Sequence, residues 1–315
     1  MSQAQLSVVI PTFNEEGNIK LLYEQLKKVL ELNSIIDFEI IFVDDGSVDD
    51  SLLKIIDLSE QDARIKFISF SKNFGHQYAL KAGLDYAFGK MVVSMDADMQ
   101  HPPQLIPTLI NEWKNGNKIV YTIREKEEGL SLLKKWTSKG FYWLINILSE
   151  HPIIDGAADF RLLDQRVVEV LRTYHEKELF FRGLISGLGF KQKAVYFQPN
   201  KRFSGATKYS IKKMARLAIA GITSASAKPL YFSIYLGAFM AFLAFVYGVY
   251  AIWIEIFTDK AILGWTSIIA SIVFIGGIQL IVMGIIGVYL AKVFKESKNR
   301  PLYIIDQTNI KEANA

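Results

Sequence analysis

Asp44-Asp45 and Asp96-x-Asp98 place four carboxylates in two short clusters, each directly after an apolar run. A third cluster, Pro11-Thr12-Phe13-Asn14-Glu15-Glu16, follows a run of the same kind. Singly, these residues have ordinary uses. Asn14 can cap a following helix, Ser47 or Asp49 another, and Asp45-Gly46 is turn chemistry. Gathered around one crevice, four carboxylates repel one another unless a cation or ligand donors compensate. A hard divalent ion, Mg²⁺ or Mn²⁺, does this on oxygen ligands and commonly bridges a substrate's phosphates. The first strand-to-helix turn lacks G-x-G-x-x-G, and no G-x-x-x-x-G-K-[ST] occurs. Any phosphate must therefore be held by metal and basic side chains.

The elements that would gather these clusters can be read from periodicity. Residues 5–11, 38–43, 65–70, 90–95 and 118–122 are near-continuous apolar runs, as in strands buried on both faces of a parallel sheet. Between them, 15–32, 50–58, 77–88 and 103–113 carry helical apolar stripes. The pattern predicts a doubly wound α/β sheet, in which ligands bind beyond the carboxyl ends of the strands. All three polar clusters fall at such ends.

Composition adds a second compartment. The chain has 315 residues with 22% charged and 50% hydrophobic, and no Cys, which excludes disulfide scaffolds, thiolate catalysis and Cys-based metal sites. The net charge of +4 is too small to argue for nucleic acid. Mean hydropathy is +0.19, high for so charged a chain. The excess sits in two charge-free runs, 229–254 and 261–291, each long enough to cross a ~30 Å hydrocarbon core. Residues 201–228 are basic and acid-free, and 292–300 are mostly basic, so both flanks are expected on the cytoplasmic side. The N-terminus lacks the basic region of a signal peptide. Residues 130–148 and 211–225 read as basic amphipathic helices, suited to a headgroup layer or to an ordinary domain surface. Gly276-Gly277, Gly284 and Gly287 permit close helix packing and so a homo-oligomer. The expected division is a catalytic domain over 1–200, a juxtamembrane segment over 201–228, a transmembrane hairpin over 229–291 and a basic tail over 292–315.

The ordered series PTFNEE, VDDGS, SKNFGH, DADMQHPP, DFRL and RFSGATKY, followed by two spans, resembles glycosyltransferase family 2. The closest likeness is to its polyprenyl-phosphate glycosyltransferases, of the bactoprenol glucosyltransferase and dolichol-phosphate mannose synthase kind. The resemblance implies a Rossmann-like, mostly parallel sheet of GT-A type. It further implies a nucleotide-sugar donor held by Pro11, Asn14, Glu15, Asp44, Asp45 and Asp96, and a metal on Asp98 and Asp96. Asp159, in DFRL, matches the position usually proposed as catalytic base, with Asp98 beside the reacting diphosphate. Arg124, Arg202 and Lys208 match basic positions suited to donor or acceptor phosphate. Where such relatives often read DADLQDPPE, His101 and Gln104 replace two acids here; His101 reads as a loop residue, and His76 as a phosphate neighbour or a capping residue.

The implied reaction is an inverting transfer of a hexosyl group to polyprenyl phosphate at the cytoplasmic face of a bacterial plasma membrane. UDP-glucose is the first expectation as donor, with UDP-GlcNAc and GDP-mannose open. A processive polysaccharide synthase is disfavoured, since Q-x-x-R-W and further spans are missing. Metal-dependent donor hydrolysis separates the implied transferase from a membrane-anchored nucleotide-binding or recruiting domain, and its products separate it from a phosphatase or nucleotidyltransferase using the same carboxylates.

Overall fold

A computed structural model describes residues 4–125, 156–177, 179–198, 228–257 and 264–310. Strand and helix alternate first as β1 (Leu6–Thr12), α1 (Ile19–Leu32), β2 (Phe38–Asp44), α2 (Ser51–Gln61), β3 (Ile65–Phe70) and α3 (His76–Asp85). There follow β4 (Met91–Ser94), α4 (Ile106–Lys114), β5 (Ile119–Arg124), β6 (Ala157–Asp164), α5 (Gln165–Arg172), α6 (Phe181–Gly187) and β7 (Gln192–Phe197). Two long helices, α7 (Lys228–Phe257) and α8 (Trp265–Ser297), precede a last strand, β8 (Ile305–Thr308).

Among the described residues the sheet has eight strands in the order β7-β5-β6-β4-β1-β2-β3-β8. β1 lies parallel to both β2 and β4, and β2 parallel to β3. Successive side chains of a strand point to opposite faces, so β1 supplies two layers at once. Leu6, Val8 and Ile10 pack with Ile19, Leu22 and Leu26 of α1 and Ile106 and Leu109 of α4. Val9 joins Ile41 and Val43 against Ala79 and Leu80 of α3 and Val167 and Leu171 of α5. That double burial is why the strands read as unbroken apolar runs.

Five expected strands correspond to β1 to β5. The helix expected over 15–32 starts only at Ile19, because the preceding backbone is engaged elsewhere. The amides of Asn14, Glu15 and Glu16 donate to Ser47 Oγ (3.0 Å), Ser51 Oγ (2.9 Å) and Asp49 Oδ2 (3.3 Å). β6 runs antiparallel to β4, and β5 antiparallel to β6. This reversal brings the start of β6 to the edge where β4 ends.

Within α7, Leu230–Tyr250 has mean hydropathy 1.9, and within α8, Phe274–Ser297 has 2.1; both are long and apolar enough to cross a membrane. Among the described residues, almost nothing of either is buried. Among the described residues, a Cβ added at Gly276, Gly277, Gly284 or Gly287 would meet nothing within 4 Å. α8 continues to Ser297, beyond the expected end at 291, and the tail then returns to the sheet as β8, antiparallel to β3. The stretches 130–148 and 211–225, with Arg202 and Lys208, lie outside the described residues.

Candidate active site

β1, β2 and β4 end side by side, and their parallel course brings the three polar clusters to one edge. Pro11 is buried within β1, and beyond it Asn14 takes a left-handed conformation (φ 55°). Its side chain caps no helix. The Asn14 carbonyl oxygen accepts from Val48 N–H (2.9 Å), tying the turn after β1 to the turn after β2. Glu15 Oε2 accepts from Asn18 Nδ2 at 2.5 Å.

Asp44 and Asp45 are both buried and organise the neighbouring backbone. Asp44 accepts from Ser47 N–H (3.2 Å) and Ser69 Oγ (3.0 Å). Asp45 Oδ1 accepts from Phe74 N–H (2.7 Å), and both its oxygens accept from Gly75 N–H (3.0 and 2.9 Å). Burial pushes the Asp45 carboxyl up; the two amides oppose that and the neighbouring Asp44 adds to it. Gly46 makes the approach possible: its φ is +68°, and a Cβ there would stand 2.5 Å from the Lys72 carbonyl carbon.

After β4, Asp98 is buried and accepts from Gln100 N–H (3.1 Å). The Asp96 side chain is 27% exposed, yet its Oδ1 is buried without a hydrogen-bond partner among the described residues. His76 Nε2 stands 3.5 Å from that oxygen, an ionic contact at the limit of hydrogen-bond length. An orphaned carboxylate oxygen two residues from a second carboxylate suits Mg²⁺ or Mn²⁺ that takes its other oxygens from a diphosphate and water. Among the described residues no group of three or more His, Asp or Glu forms an all-protein cage. The two carboxylates thus fit a divalent cation bound through oxygen.

Asp159 enters from β6 and is buried among cations. Arg182, at the start of α6, grips it with Nε to Oδ1 (3.1 Å) and Nη2 to Oδ2 (3.0 Å). Arg161 donates from Nη2 to Oδ1 (3.2 Å), and His76 Nε2 lies 3.7 Å from Oδ2. Burial opposes ionisation of Asp159, but His76, Arg182 and Arg161 outweigh it and hold the carboxyl well below the usual carboxylate range. Burial also lowers His76, yet Asp159 and Asp96 raise its pKa on balance.

His101 lies in the loop after β4, as expected, and is fully buried there. Its ring stacks on Phe160 (centroids 5.2 Å apart) and meets Phe197 edge-on (6.0 Å). Its Nδ1 accepts the Asp96 amide (3.0 Å), which orients the backbone of the acidic turn. Burial lowers the His101 pKa, and Arg124, whose Nη2 is 3.2 Å from Nε2, acts in the same direction. His76 likewise caps nothing; it opens α3 and faces two carboxylates.

The structure therefore gathers Pro11, Asn14, Glu15, Asp44, Asp45, Asp96, Asp98, Asp159 and Arg124 at the same edge. Arg161 and Arg182 were missed in the sequence. The available signal was a lone Arg in the apolar run LFFRGLISGLGF, since a charge there must find a partner.

A mostly parallel eight-stranded sheet thus carries carboxylate pairs beyond its strand ends, and two long apolar helices follow it in the chain. The glycosyl transferase family 2 model matches residues 7–172, and the chain belongs to that family. It is 41% identical to YkcC of Bacillus subtilis (strain 168), an uncharacterised glycosyltransferase, over 96% of this chain and 94% of that one. It is 38% identical to the prophage bactoprenol glucosyl transferase homolog of Escherichia coli (strain K12), over 96% and 98%. With the bactoprenol glucosyl transferase of Shigella phage SfII it shares 37% identity over 97% and 98%. Among solved structures, mannosyl-3-phosphoglycerate synthase from Rubrobacter xylanophilus superposes with a TM-score of 0.49 at 17% identity, covering 72% of this chain and 74% of that one.

Proposed function

We propose that this glycosyltransferase moves a hexosyl group, glucose from UDP-glucose first, to a polyprenyl phosphate at the cytoplasmic face of a membrane, with inversion at the anomeric carbon. One topological observation carries the reading. β8 is antiparallel to β3, with Ile305 opposite Phe70, so the chain arriving from α8 enters the sheet at the edge that bears the carboxylates. Seven residues lie between Ser297 and Ile305, eight Cα-to-Cα steps with a reach of at most about 28 Å. An apolar helix end and the candidate site thus lie on one side of the sheet, as a lipid acceptor requires. The bactoprenol glucosyl transferases among the relatives support the same acceptor class.

In this reading Pro11, Asn14 and Glu15, with the turns shaped by Asp44 and Asp45, receive the nucleoside. Asp96 and Asp98 would hold Mg²⁺ or Mn²⁺, which when bound would stabilise the leaving diphosphate as its charge grows. Arg124 approaches that diphosphate from β5, and Arg202 and Lys208 serve the acceptor phosphate from the basic segment before the first span. The acceptor needs little help from a base, because a phosphate monoester has a second pKa near about 6 and is largely dianionic at neutral pH. Asp159, already committed to two arginines, therefore orients Arg182 toward a phosphate instead of removing a proton.

Purified full-length protein, given polyprenyl phosphate, Mg²⁺ or Mn²⁺ and UDP-glucose, UDP-GlcNAc or GDP-mannose in turn, tests this. The expected products are lipid-linked glucose and UDP, with Asp98→Ala reducing the rate at least about 100-fold, roughly 2.7 kcal/mol of barrier. Release of free phosphate or pyrophosphate, or transfer with none of the donors, overturns the reading.

A further inference from the structure

We propose that residues 301–310 are a positioning strap, through which Tyr303 holds the 70–76 segment, and with it the nucleotide-facing turn at Asp45, in its working shape. The inference goes beyond the reaction proposed above and rests on it only where a donor KM is measured.

Where the strap leaves α8, hydrogen bonds to Lys177 hold the chain. Lys177, after α5, donates its amide to Glu296 Oε1 (2.6 Å) and its ammonium to the Arg300 carbonyl, while its own carbonyl accepts from Tyr78 of α3 (2.5 Å). Further on, side chains seat the strand in addition to the ladder. Asn309 Oδ1 accepts from Phe67 N–H (2.8 Å), its Nδ2 donates to the Ile65 carbonyl (3.1 Å), and Thr308 Oγ1 donates to the Phe67 carbonyl (2.7 Å). These contacts cover β3, which would otherwise be a bare sheet edge.

Sealing an edge does not account for Tyr303. Its ring stacks on Phe70 with centroids 5.1 Å apart and planes 15° from parallel. Its hydroxyl donates to Asp85 Oδ2 (3.0 Å), a carboxylate also held by the buried Lys81 (2.5 Å). Phe70 in turn meets Phe74 edge-on at 5.6 Å, and Ser71 N–H donates to the Ile304 carbonyl (3.1 Å). Phe74 and Gly75 are the residues whose amides clasp Asp45, and the next residue is His76, facing Asp96 and Asp159. An unbroken line of packed rings and hydrogen bonds thus runs from the end of an apolar helix to the candidate donor turn. Tyr303 is its first ring.

The test compares wild-type full-length protein with Tyr303→Ala, Tyr303→Phe and Asn309→Ala. Amide exchange is followed by residue without any ligand, and the UDP-glucose KM and kcat are measured beside it. Tyr303→Ala is expected to speed exchange of the Phe74 and Gly75 amides about 10-fold or more, as local opening predicts. It should raise donor KM by a similar factor with kcat changed less than about 2-fold. Tyr303→Phe keeps the ring and should restore both to within about 2-fold of wild type. Asn309→Ala should loosen only Ile65 to Phe67. Wild-type exchange at Phe74 and Gly75 in Tyr303→Ala, or a disturbance confined to β3, overturns the strap. Exchange needs no substrate, so a missing transferase activity would sink the reaction while still deciding this inference.

Discussion

Asp159 accepts from two arginines and faces a histidine, so its carboxylate stays ionised across the neutral range. The family resemblance marked its position as that of a base; its partners set it between two guanidinium groups. The consequence for stability has a definite sign. The folded-state pKa is depressed, so the ion pairs contribute fully above the unfolded value of about 4 and are lost as pH falls through it and below. Chemical denaturation should therefore find Asp159→Asn less stable than wild type at pH 7, with the gap narrowing progressively as pH falls below about 4. In the same variant the acid limb of the kcat/KM profile should keep its wild-type position, because Asp159 does not titrate there. A shift of that limb would restore the proton-abstraction role. His101 makes the complementary point: an isolated histidine in a polar turn gave no hint that two phenylalanine rings enclose it.

At the scale of elements, the site is built by turns that lean on each other. The turn after β1 is bonded to the turn after β2 through Asn14, Ser47 and Ser51, and that turn to the loop after β3 through Asp45. Apolar periodicity located all three turns but says nothing about which amide a carboxylate will clasp. Gly46 is the position where the arrangement is least forgiving. Gly46→Ala combines a left-handed residue, at about 1–2 kcal/mol, with a Cβ driven into the Lys72 backbone. The variant should lose more than that in denaturant titration and show a raised donor KM, because the Asp45 turn must move. Unchanged stability would mean that the loop after β3 yields at no cost.

Over the whole molecule, a catalytic sheet, two long apolar helices and a returning strand make one connected unit. The chain has no Cys, so single cysteines report its orientation directly. In intact cells an impermeant thiol reagent should label Asp259→Cys, between the two apolar runs, and leave Glu60→Cys, on α2, unmodified. The reverse pattern would invert the topology proposed from the basic flanks. What the sequence determined by itself were the features with a local or periodic signature: five strand runs, the helices between them, the acidic clusters at strand ends and two charge-free spans. These are legible because burial on both faces, and hydrocarbon thickness, write themselves into consecutive residues. Tertiary structure alone decided the antiparallel entry of β6, the arginine pair around Asp159, the enclosure of His101 and the seating of Ile305–Thr308 against β3. Each joins residues far apart in the chain, and strand pairing depends on what lies across the sheet more than on the strand's own residues. The polar segment IDQT has no apolar run to announce it; it is a strand because β3 offers an edge and the end of α8 delivers the chain there.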